Sequence, residues 1–309
     1  MGKFADLHRV LRNLGLATAD TIHKPTESPP HEWFENVHDR SYYRAFLAGN
    51  LGEAQERRIG FREETRRSPL IARTRLECSG TVRTVQLALE HGLAANLAGG
   101  THHAHHDFGS GFTILNDLAI AATWARGHTS VRRVAVVDLD VHQGDGTAAI
   151  FRNDDDTFTM SMHCGANFPF RKQASDLDVD VPRGTGDRGY LQMLREHLPA
   201  VLAWGPDLVL YDAGVDVYKG DQLGYLNVSH AGIYERDRYV IDSCVAAGVP
   251  IACVIGGGYD RDALALARRH ALLHRAGSRV WKLRGLGTPG DRSEVNVRHA
   301  CGMSTSTSL

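Results

Sequence analysis

The chain has 309 residues, of which 42% are hydrophobic and 23% charged, a composition typical of a globular enzyme. Lysine and arginine number 35 against 36 aspartates and glutamates, so the net charge of −1 provides no field that would draw the protein onto nucleic acid. We therefore expect no direct nucleic-acid partner. The five cysteines are scattered without a CxxC pair, which argues against a disulfide framework and a thiolate zinc site.

The amino-terminal segment MGKFADLHRVLRNLGL carries its apolar residues at helical spacing, with charged residues between them. This pattern predicts a packed amphipathic helix and not a signal peptide. No stretch of the sequence approaches the roughly 18 consecutive apolar residues of a membrane span. We therefore expect a cytoplasmic protein with no membrane partner.

The first 90 residues are predicted to be mainly helical, and from there on apolar runs that indicate buried strands alternate with helical patterns. The runs are AANLAG, VRRVAVVDLDV, TFTMSMH, DLVLYDAG and VPIACVIGG, and the helical patterns are GFTILNDLAIAATWAR, DGTAAIFRN, GDRGYLQMLREHLPAVLAW, AGIYERDRYVIDSCVAAG and DRDALALARRHALLHRAG. Such alternation predicts one α/β domain in three layers, αβα, with a central, mostly parallel sheet.

The end of the chain has a different composition. After residue 284 the sequence GLGTPGDRSEVNVRHACGMSTSTSL lacks periodicity and ends in a serine/threonine repeat. We expect a single domain over residues 1–284 and predict that residues 285–309 form a disordered tail.

Polar clusters follow the predicted strands, at the edge of a parallel sheet where ligands bind. In VAVVDLDVHQGDG, Asp140 and His142 are two residues apart, so both face one side and could bind one cation. Asp138 and Asp145 would then hydrogen-bond neighbouring groups. The alternative is that these residues form turns and helix caps, the commoner use of Asp-Gly. Burial of three carboxylates and a histidine beside an apolar strand costs desolvation free energy, and this cost favours the interpretation as a binding site.

Two further clusters follow later strands. The aspartates of YDAGVDVYKGDQLG are Asp212, Asp216 and Asp221, and the last of them taken alone would be a turn residue. In VIGGGYD, three glycines allow the backbone to turn sharply and approach a ligand. Tyr259 then offers a neutral donor suited to a developing oxyanion, although a tyrosine in this position is more often a packing residue.

The stretch GGTHHAHHD has four histidines in five positions, which could be metal ligands, proton-transfer groups or part of a solvated loop. Taken in order, GGTHHA, SGFxxxND, VDLDVHQGDG, GxDxxxGDQLG and GGGY resemble the motifs of the zinc-dependent histone deacetylase family. The likeness extends from residue 1 to about residue 275. The details YDAGVDVYKGDQLG and HAGIYERD look most like the class IV branch and its bacterial relatives.

The resemblance implies the arginase/deacetylase fold and the hydrolysis of an acyl group, acetyl or longer, from lysine or a lysine-like amine. By motif position it implies that the metal ligands are Asp140, His142 and Asp221. Three protein ligands with open positions suit a hydrolytic centre. Zinc is the family's usual metal, and two aspartates with one histidine also accept Fe(II).

The resemblance also assigns the catalytic groups. It implies that His103 is the general base that moves a proton from water to the leaving amine, with His102 beside it. Asp138 and Asp145 would orient His102 and His103, respectively, and Tyr259 would donate to the oxyanion.

Three other assignments follow from the family pattern. Its substrate channel matches Phe112 and, more loosely, Phe168, for which core packing is an equal alternative. Its structural potassium site matches Asp138, Asp140, His142, Ser161 and Met162. No family role carries over to His105 and His106, so we expect both in a solvated loop near the rim of the site.

The chain departs from the family pattern at its start, where relatives have a further strand and loop before the segment that here reads MGKFADLH. A missing strand would expose a sheet edge and apolar surface. The substrate stays open among acyl-lysine in a protein or peptide, acetylated polyamines and acetoin metabolism, because channel volume decides it. Two rival functions are an arginase-like ureohydrolase, which needs a second metal, and a non-catalytic acyl-lysine-binding module. The oligomeric state is not predicted.

Overall fold

The protein, represented by a computed structural model, is described over residues 2–286. Residues 287–309, nearly all of the predicted tail, lie outside the described residues. The strands of the described part are β1 (Leu93–Ala95), β2 (Val134–Asp138), β3 (Thr157–His163), β4 (Leu177–Asp180), β5 (Leu208–Asp212) and β6 (Ile251–Val254). They form one parallel sheet in the order β1-β6-β5-β2-β3-β4.

The sheet is buried on both faces, as its apolar strands predict. In β2, Ala135 and Val137 belong to one hydrophobic core, whereas Val134 and Val136 belong to the other. Because successive side chains of a strand point to opposite faces, these two cores are the two interfaces between the sheet and its helical layers. The predicted three-layer αβα architecture is confirmed.

The helices of the described residues are α1 (Lys3–Asn13), α2 (His31–Glu35), α3 (Arg40–Leu47), α4 (Glu53–Ile59), α5 (Ser68–His91), α6 (Asp117–His128), α7 (Asp145–Phe151), α8 (Asp187–Ala203), α9 (His230–Ala246) and α10 (Ala263–Leu283), with a 3-10 helix at Arg62–Arg66. Helices α2, α3, α5 and α6 cover one face of the sheet, and α1, α8, α9 and α10 cover the other. The predicted amphipathic helix at the start of the chain is α1, which buries Leu7 and Leu11. No helix between residues 2 and 286 has the length and apolar character to cross a membrane.

The sequence-based prediction missed one strand and misplaced the start of one helix. Strand β4 was not predicted, because its sequence LDVD buries only Val179 and exposes two aspartates at the sheet edge. The helix predicted from Gly111 begins only at Asp117, where the Asn116 side chain accepts a hydrogen bond from the backbone N–H of Ala119. The preceding segment, residues 111–116, is a loop, and this places Phe112 at the functional site and not in a helix.

Candidate active site

The polar residues singled out in the sequence meet at the carboxyl ends of β2 and β5, the central strands of the sheet. The strand register places Asp138 of β2 between Asp212 of β5 and Ser161 of β3. The histidine loop that follows β1 lies over the same edge, since His102 contacts Asp138. Four segments that are distant in sequence therefore form one buried polar site.

Asp140, His142 and Asp216 form a buried cluster whose candidate ligand atoms all lie within 4.8 Å of one another. Nδ1 of His142 lies 3.0 Å from Oδ1 of Asp140 and 3.3 Å from Oδ2 of Asp216. Burial opposes protonation of His142, but the two carboxylates outweigh it and raise the pKa of the imidazole to about 10. Within the described chain, Oδ2 of Asp216 has no hydrogen-bond partner. An imidazole nitrogen and carboxylate oxygens that converge in this way can hold a cation in place of the proton.

The glycine run after β6 passes close to this cluster and adds no side chain there. A Cβ atom at Gly257 would collide with carboxylate oxygens of Asp140 and Asp216. The backbone N–H of Gly257 also donates to Oδ2 of Asp140 at 2.8 Å. Glycine is required here because the backbone passes close to the carboxylates.

Asp221, the third predicted metal ligand, lies beside the cluster and is held by backbone donors. Its Oδ2 accepts a hydrogen bond from the N–H of Tyr259 at 2.7 Å, and its Oδ1 accepts one from the N–H of Leu223 at 2.9 Å. Burial is the main cause that raises the pKa of Asp221, and the charge of Asp140 adds to it. The 4.8 Å cluster itself contains Asp216, for which no role was predicted from sequence.

The structure forms both predicted His–Asp pairs. Nδ1 of His102 is 2.7 Å from Oδ2 of Asp138, and Nδ1 of His103 is 2.6 Å from Oδ1 of Asp145. An ionised carboxylate only accepts hydrogen bonds, so each histidine donates from Nδ1 when its partner is ionised. The lone pair of a neutral ring then resides on Nε2, the atom that can accept a proton.

The two neighbouring histidines differ in charge, although their ring centroids lie 4.1 Å apart. Burial opposes the charged form of His102, but Asp138 and Asp140 outweigh it and raise the pKa of His102 well above its usual value. Burial and the adjacent charge of His102 lower the pKa of His103 to about 4. His103 is therefore neutral at pH 7 and can act as a base.

The prediction that His105 belongs to a solvated loop is wrong. His105 is buried, its Nε2 is 3.0 Å from Oδ2 of Asp145, and its ring stacks on Phe108 with centroids 4.3 Å apart. Sequence offers no signal for this contact, because it depends on how the loop meets helix α7. His106 is exposed as predicted, and its Nδ1 donates to the backbone carbonyl of Val37 at 2.6 Å.

Two phenylalanine rings lie beside the candidate catalytic groups, Phe168 next to His103 and Phe112 next to Tyr259. The Phe168 ring packs edge-on against His103, with centroids 4.8 Å apart, and lies 6.3 Å from the His142 ring. The ring of Phe112 is 6.2 Å from that of Tyr259, and the Phe112 side chain is 47% exposed. Burial and neighbouring carboxylates raise the pKa of Tyr259, so its hydroxyl stays protonated and can donate.

Two residues of the SGFxxxND motif, Asn116 and Asp117, hold the backbone of the histidine loop by hydrogen bonds. Asp117 accepts hydrogen bonds from the backbone N–H groups of Thr101 at 2.7 Å and Gly100 at 3.1 Å. The side-chain amide of Asn116 donates to the carbonyl of Ala104 at 3.0 Å. No role for the Asn-Asp pair of this motif was predicted from sequence. Their preference for helix N-termini was the available signal.

Lys3 was missed as part of the site, and Asp212 was named in a polar cluster without a role. Nζ of Lys3 donates to the carbonyl of Gly256 at 3.2 Å, and its charge is attracted by buried carboxylates that include Glu77 and Asp216. Asp212 is fully buried, and neither of its carboxylate oxygens has a hydrogen-bond partner in residues 2–286. Burial and the charge of Asp138 raise its pKa well above the usual value. The spacing of Lys3 in an amphipathic helix gave no sign of this position.

A three-layer αβα fold that brings two His–Asp pairs and a candidate metal-binding cluster to its strand ends is the arrangement expected of a hydrolase of the arginase/deacetylase superfamily. Residues 1–274 match the histone deacetylase domain family, and the chain belongs to that family. The family shows that the protein is a deacetylase, a hydrolase that acts on acylated amines.

Several curated proteins are similar to the chain. The chain is 49% identical over 282 residues to an uncharacterised protein of Picosynechococcus sp., an alignment that covers 91% of this chain and 93% of the relative. It is 34% identical to histone deacetylase 2 of Arabidopsis thaliana, with 60% of this chain and 49% of that protein aligned. It is 33% identical to a probable deacetylase of Methanothermobacter thermautotrophicus, with 62% of this chain and 60% of the relative aligned.

Two solved structures share the fold. Acetylpolyamine aminohydrolase from Burkholderia pseudomallei superposes with a TM-score of 0.69 at 21% identity, covering 90% of both chains. The HDA15 HD domain superposes with a TM-score of 0.70 at 23% identity, covering 93% of this chain and 83% of that one. At this level of identity the likeness concerns the fold.

Proposed function

We propose that this protein is a zinc-dependent deacylase that hydrolyses the amide bond between an acyl group and lysine or a lysine-like amine. The observation that carries the proposal is the position of a neutral base beside a possible metal-binding cluster. His103 donates from Nδ1 to Asp145, and its ring centroid lies 5.8 Å from that of His142. A base and a cation site at this separation are the two parts that amide hydrolysis by activated water requires.

The residues for a cation are Asp140, His142 and Asp221, as the family motif assigns them, with Asp216 packed against the first two. The arrangement fits a divalent cation, because a cation could replace the His142 proton between the carboxylates of Asp140 and Asp216. In the described residues Oδ2 of Asp216 accepts no hydrogen bond, and Gly257 adds no side chain there. A cation bound there would polarise the acyl carbonyl and lower the pKa of a water molecule. Oxygen and nitrogen ligands of this kind suit zinc and also Fe(II).

His103 is the group that moves the proton in this proposal. The attacking water gives a proton to Nε2 of His103, and the same proton then passes to the nitrogen of the leaving amine as the amide bond breaks. Asp145 keeps the ring in the tautomer that this transfer needs, because it accepts from Nδ1. The charge on His102 also favours a neutral His103 before attack.

Tyr259 serves as a hydrogen-bond donor in the proposed reaction. Its elevated pKa keeps the proton on the hydroxyl, so the group stabilises negative charge on the former carbonyl oxygen without losing a proton. Asp221 helps to place the residue, because its carboxylate accepts from the backbone N–H of Tyr259.

We propose an acylated primary amine on an aliphatic chain as the substrate, held between Phe112 and Phe168. The likeness to class IV sequences supports acyl-lysine in a protein or peptide over an acetylated polyamine. We also propose a structural potassium ion at Asp138, Asp140, His142, Ser161 and Met162. The register of β2 and β3 supports this site, because it brings Asp138 beside Ser161.

Replacement of Tyr259 tests whether this site performs the hydrolysis. Tyr259→Phe should lower kcat on an acetyl-lysine peptide by about 10²- to 10³-fold, the usual effect of removing a preorganised oxyanion donor. Zinc content, measured by atomic emission, should not change, because the hydroxyl acts on the transition state and not on the cation. Loss of zinc from the variant, or an unchanged kcat, would contradict the role given to Tyr259.

A further inference from the structure

The carboxylate of Asp145 contacts two imidazole rings, one with each oxygen. Oδ1 lies 2.6 Å from Nδ1 of His103, and Oδ2 lies 3.0 Å from Nε2 of His105. All three side chains are nearly inaccessible to solvent, with exposed fractions of 5%, 11% and 8% for His103, His105 and Asp145. Water therefore has little access to either oxygen, and His105 provides the second hydrogen bond that the carboxylate needs.

The ring of His105 is fixed on its other sides. It stacks on Phe108 at an interplanar angle of 19°, and the guanidinium of Arg58 lies 4.4 Å from the centroid of the Phe108 ring. The backbone N–H of His105 also donates to the carbonyl of Phe108 at 2.9 Å. These contacts close residues 105–108 into a short loop that presents Nε2 to Asp145 in one orientation.

The backbone of His105 is also held by His38, which lies in the turn between α2 and α3. Nε2 of His38 accepts a hydrogen bond from the backbone N–H of Asn116 at 2.9 Å, so the proton of the neutral ring is on Nδ1. Nδ1 of His38 then donates to the carbonyl of His105 at 2.9 Å. The position of His105 is thus set by the helical layer and by the loop before α6.

We propose that His105 is a positioning residue for the general base, and that it acts through Asp145. The inference rests on the proposed function, in which His103 moves the proton. A carboxylate held at only one oxygen can rotate about its side-chain torsions and turn away from His103. The N–H of His105 prevents this rotation, because Oδ2 must stay on Nε2 while Oδ1 stays on His103.

His106 provides a matched comparison within the same loop. It is also a histidine that donates a hydrogen bond, but its acceptor is the backbone carbonyl of Val37 and its side chain is exposed. A change at His106 perturbs the loop without touching Asp145. Comparing variants of His105 and His106 therefore distinguishes an effect on the general base from a general effect on the loop.

The test measures kcat and KM of the zinc-loaded enzyme on an acetyl-lysine peptide. His105→Leu should lower kcat by about tenfold, at the lower end of the effects seen for outer-shell partners, and leave KM within about twofold. His105→Gln should recover most of the wild-type kcat, because its amide nitrogen can take the place of Nε2. His106→Leu should keep wild-type kcat and KM.

A double-mutant cycle shows whether His105 acts through Asp145. Asp145→Asn should lower kcat by about 10²-fold or more, since it removes the acceptor that sets the tautomer of His103. His105→Leu added to Asp145→Asn should cause no further loss of kcat, because the single amide oxygen of Asn cannot accept from both histidines and the shared contact is already lost. Fully additive losses, or a Gln variant no better than Leu, would overturn the inference.

Two further outcomes distinguish a failure of the proposed function from a failure of the inference about His105. If Asp145→Asn retains wild-type kcat, the proposed role of the His103–Asp145 pair fails, and the inference falls with it. If Asp145→Asn is impaired and His105→Leu is not, only the inference fails. Should His105→Leu unfold, His105→Asn replaces it, because its shorter amide stays polar but does not reach Oδ2. The Asn and Gln variants then form the deciding pair, and equal kcat values in the two would overturn the inference.

Discussion

His38 shows how a single buried imidazole connects the histidine loop to the helical layer. Its two nitrogens contact the N–H of Asn116 and the carbonyl of His105, and its side chain is 1% exposed. Burial is the main cause that lowers the pKa of His38 to about 4. Protonation would put a donor on Nε2 opposite the N–H of Asn116, so the folded state favours the neutral ring.

This residue gives a prediction about stability and pH. The folded pKa of His38 lies below the unfolded value of about 6.5, so the unfolded chain binds more protons and stability falls as pH decreases from about 6.5 towards 4. Between pH 7 and pH 5 this group should cost the wild type about 2 kcal/mol of unfolding free energy, at about 1.4 kcal/mol per pH unit below 6.5.

Urea denaturation of the wild type and His38→Gln at pH 7 and pH 5 measures this difference. Glutamine can donate and accept at the same site but does not titrate, so the variant should lose about 2 kcal/mol less on acidification. An equal loss in the two proteins would show that His38 is not responsible.

At the residue scale, the sequence predicted which residues belong to the site better than it predicted which of them contact one another. The His102–Asp138 and His103–Asp145 pairs follow from the family motif, and the structure forms both. The contact of His105 with Asp145 and the position of Asp216 in the tight cluster did not follow, because they depend on how loops meet in space. Spacing along one segment carries no information about such contacts.

Helix α9 stabilises the ends of the two central strands, β2 and β5, through Arg236. This fully buried guanidinium donates to the carbonyls of Gly214 at 2.6 Å and Ala213 at 3.1 Å after β5, and to that of Leu139 at 3.2 Å after β2. It also pairs with Asp237 at 2.8 Å. The positions of Asp138, Asp140 and Asp216 are thereby linked to the helical layer behind the sheet.

Replacement of Arg236 should destabilise the whole fold. Arg236→Leu leaves the Asp237 charge unpaired in the interior and should cost about 3–5 kcal/mol of unfolding free energy. Arg238→Leu is the matched control, because Arg238 lies two residues away, is 36% exposed and pairs with Glu235 at 2.8 Å. That change should alter stability by less than about 1 kcal/mol. Similar losses in the two variants, measured by urea denaturation, would contradict the role of Arg236.

At the element scale, the sequence predicted the strands that are apolar on both faces and failed where another signal dominated. β2, β3, β5 and β6 were found because buried parallel strands are apolar runs. β4 was missed because an edge strand alternates with charged residues. The loop over residues 111–116 was taken for helix, because its apolar residues continue the pattern of α6; Asn116 as N-cap marks the true boundary.

At the scale of the whole molecule, the fold brings the residues of the candidate site, which are spread in sequence from His102 to Tyr259, to one edge of the sheet. Parallel strands require long connections, so the segments of the candidate site lie at the carboxyl ends of different strands. The order of motifs predicted the family and fold, which the family match over residues 1–274 confirms. The ligand set, the metal and the substrate stay predictions, because they depend on distances within the loops and on channel size.

The central claim is that this site hydrolyses acylated amines, and the direct measurement is acid release from a substrate panel by the purified, zinc-loaded protein. The panel contains lysine peptides that carry acetyl through myristoyl groups, with acetylated polyamines beside them. We predict cleavage of acyl-lysine peptides with a dependence on chain length that reports the size of the channel between Phe112 and Phe168. Binding of the peptides without any release of acid, at one zinc per chain, would contradict the account and indicate a binding module.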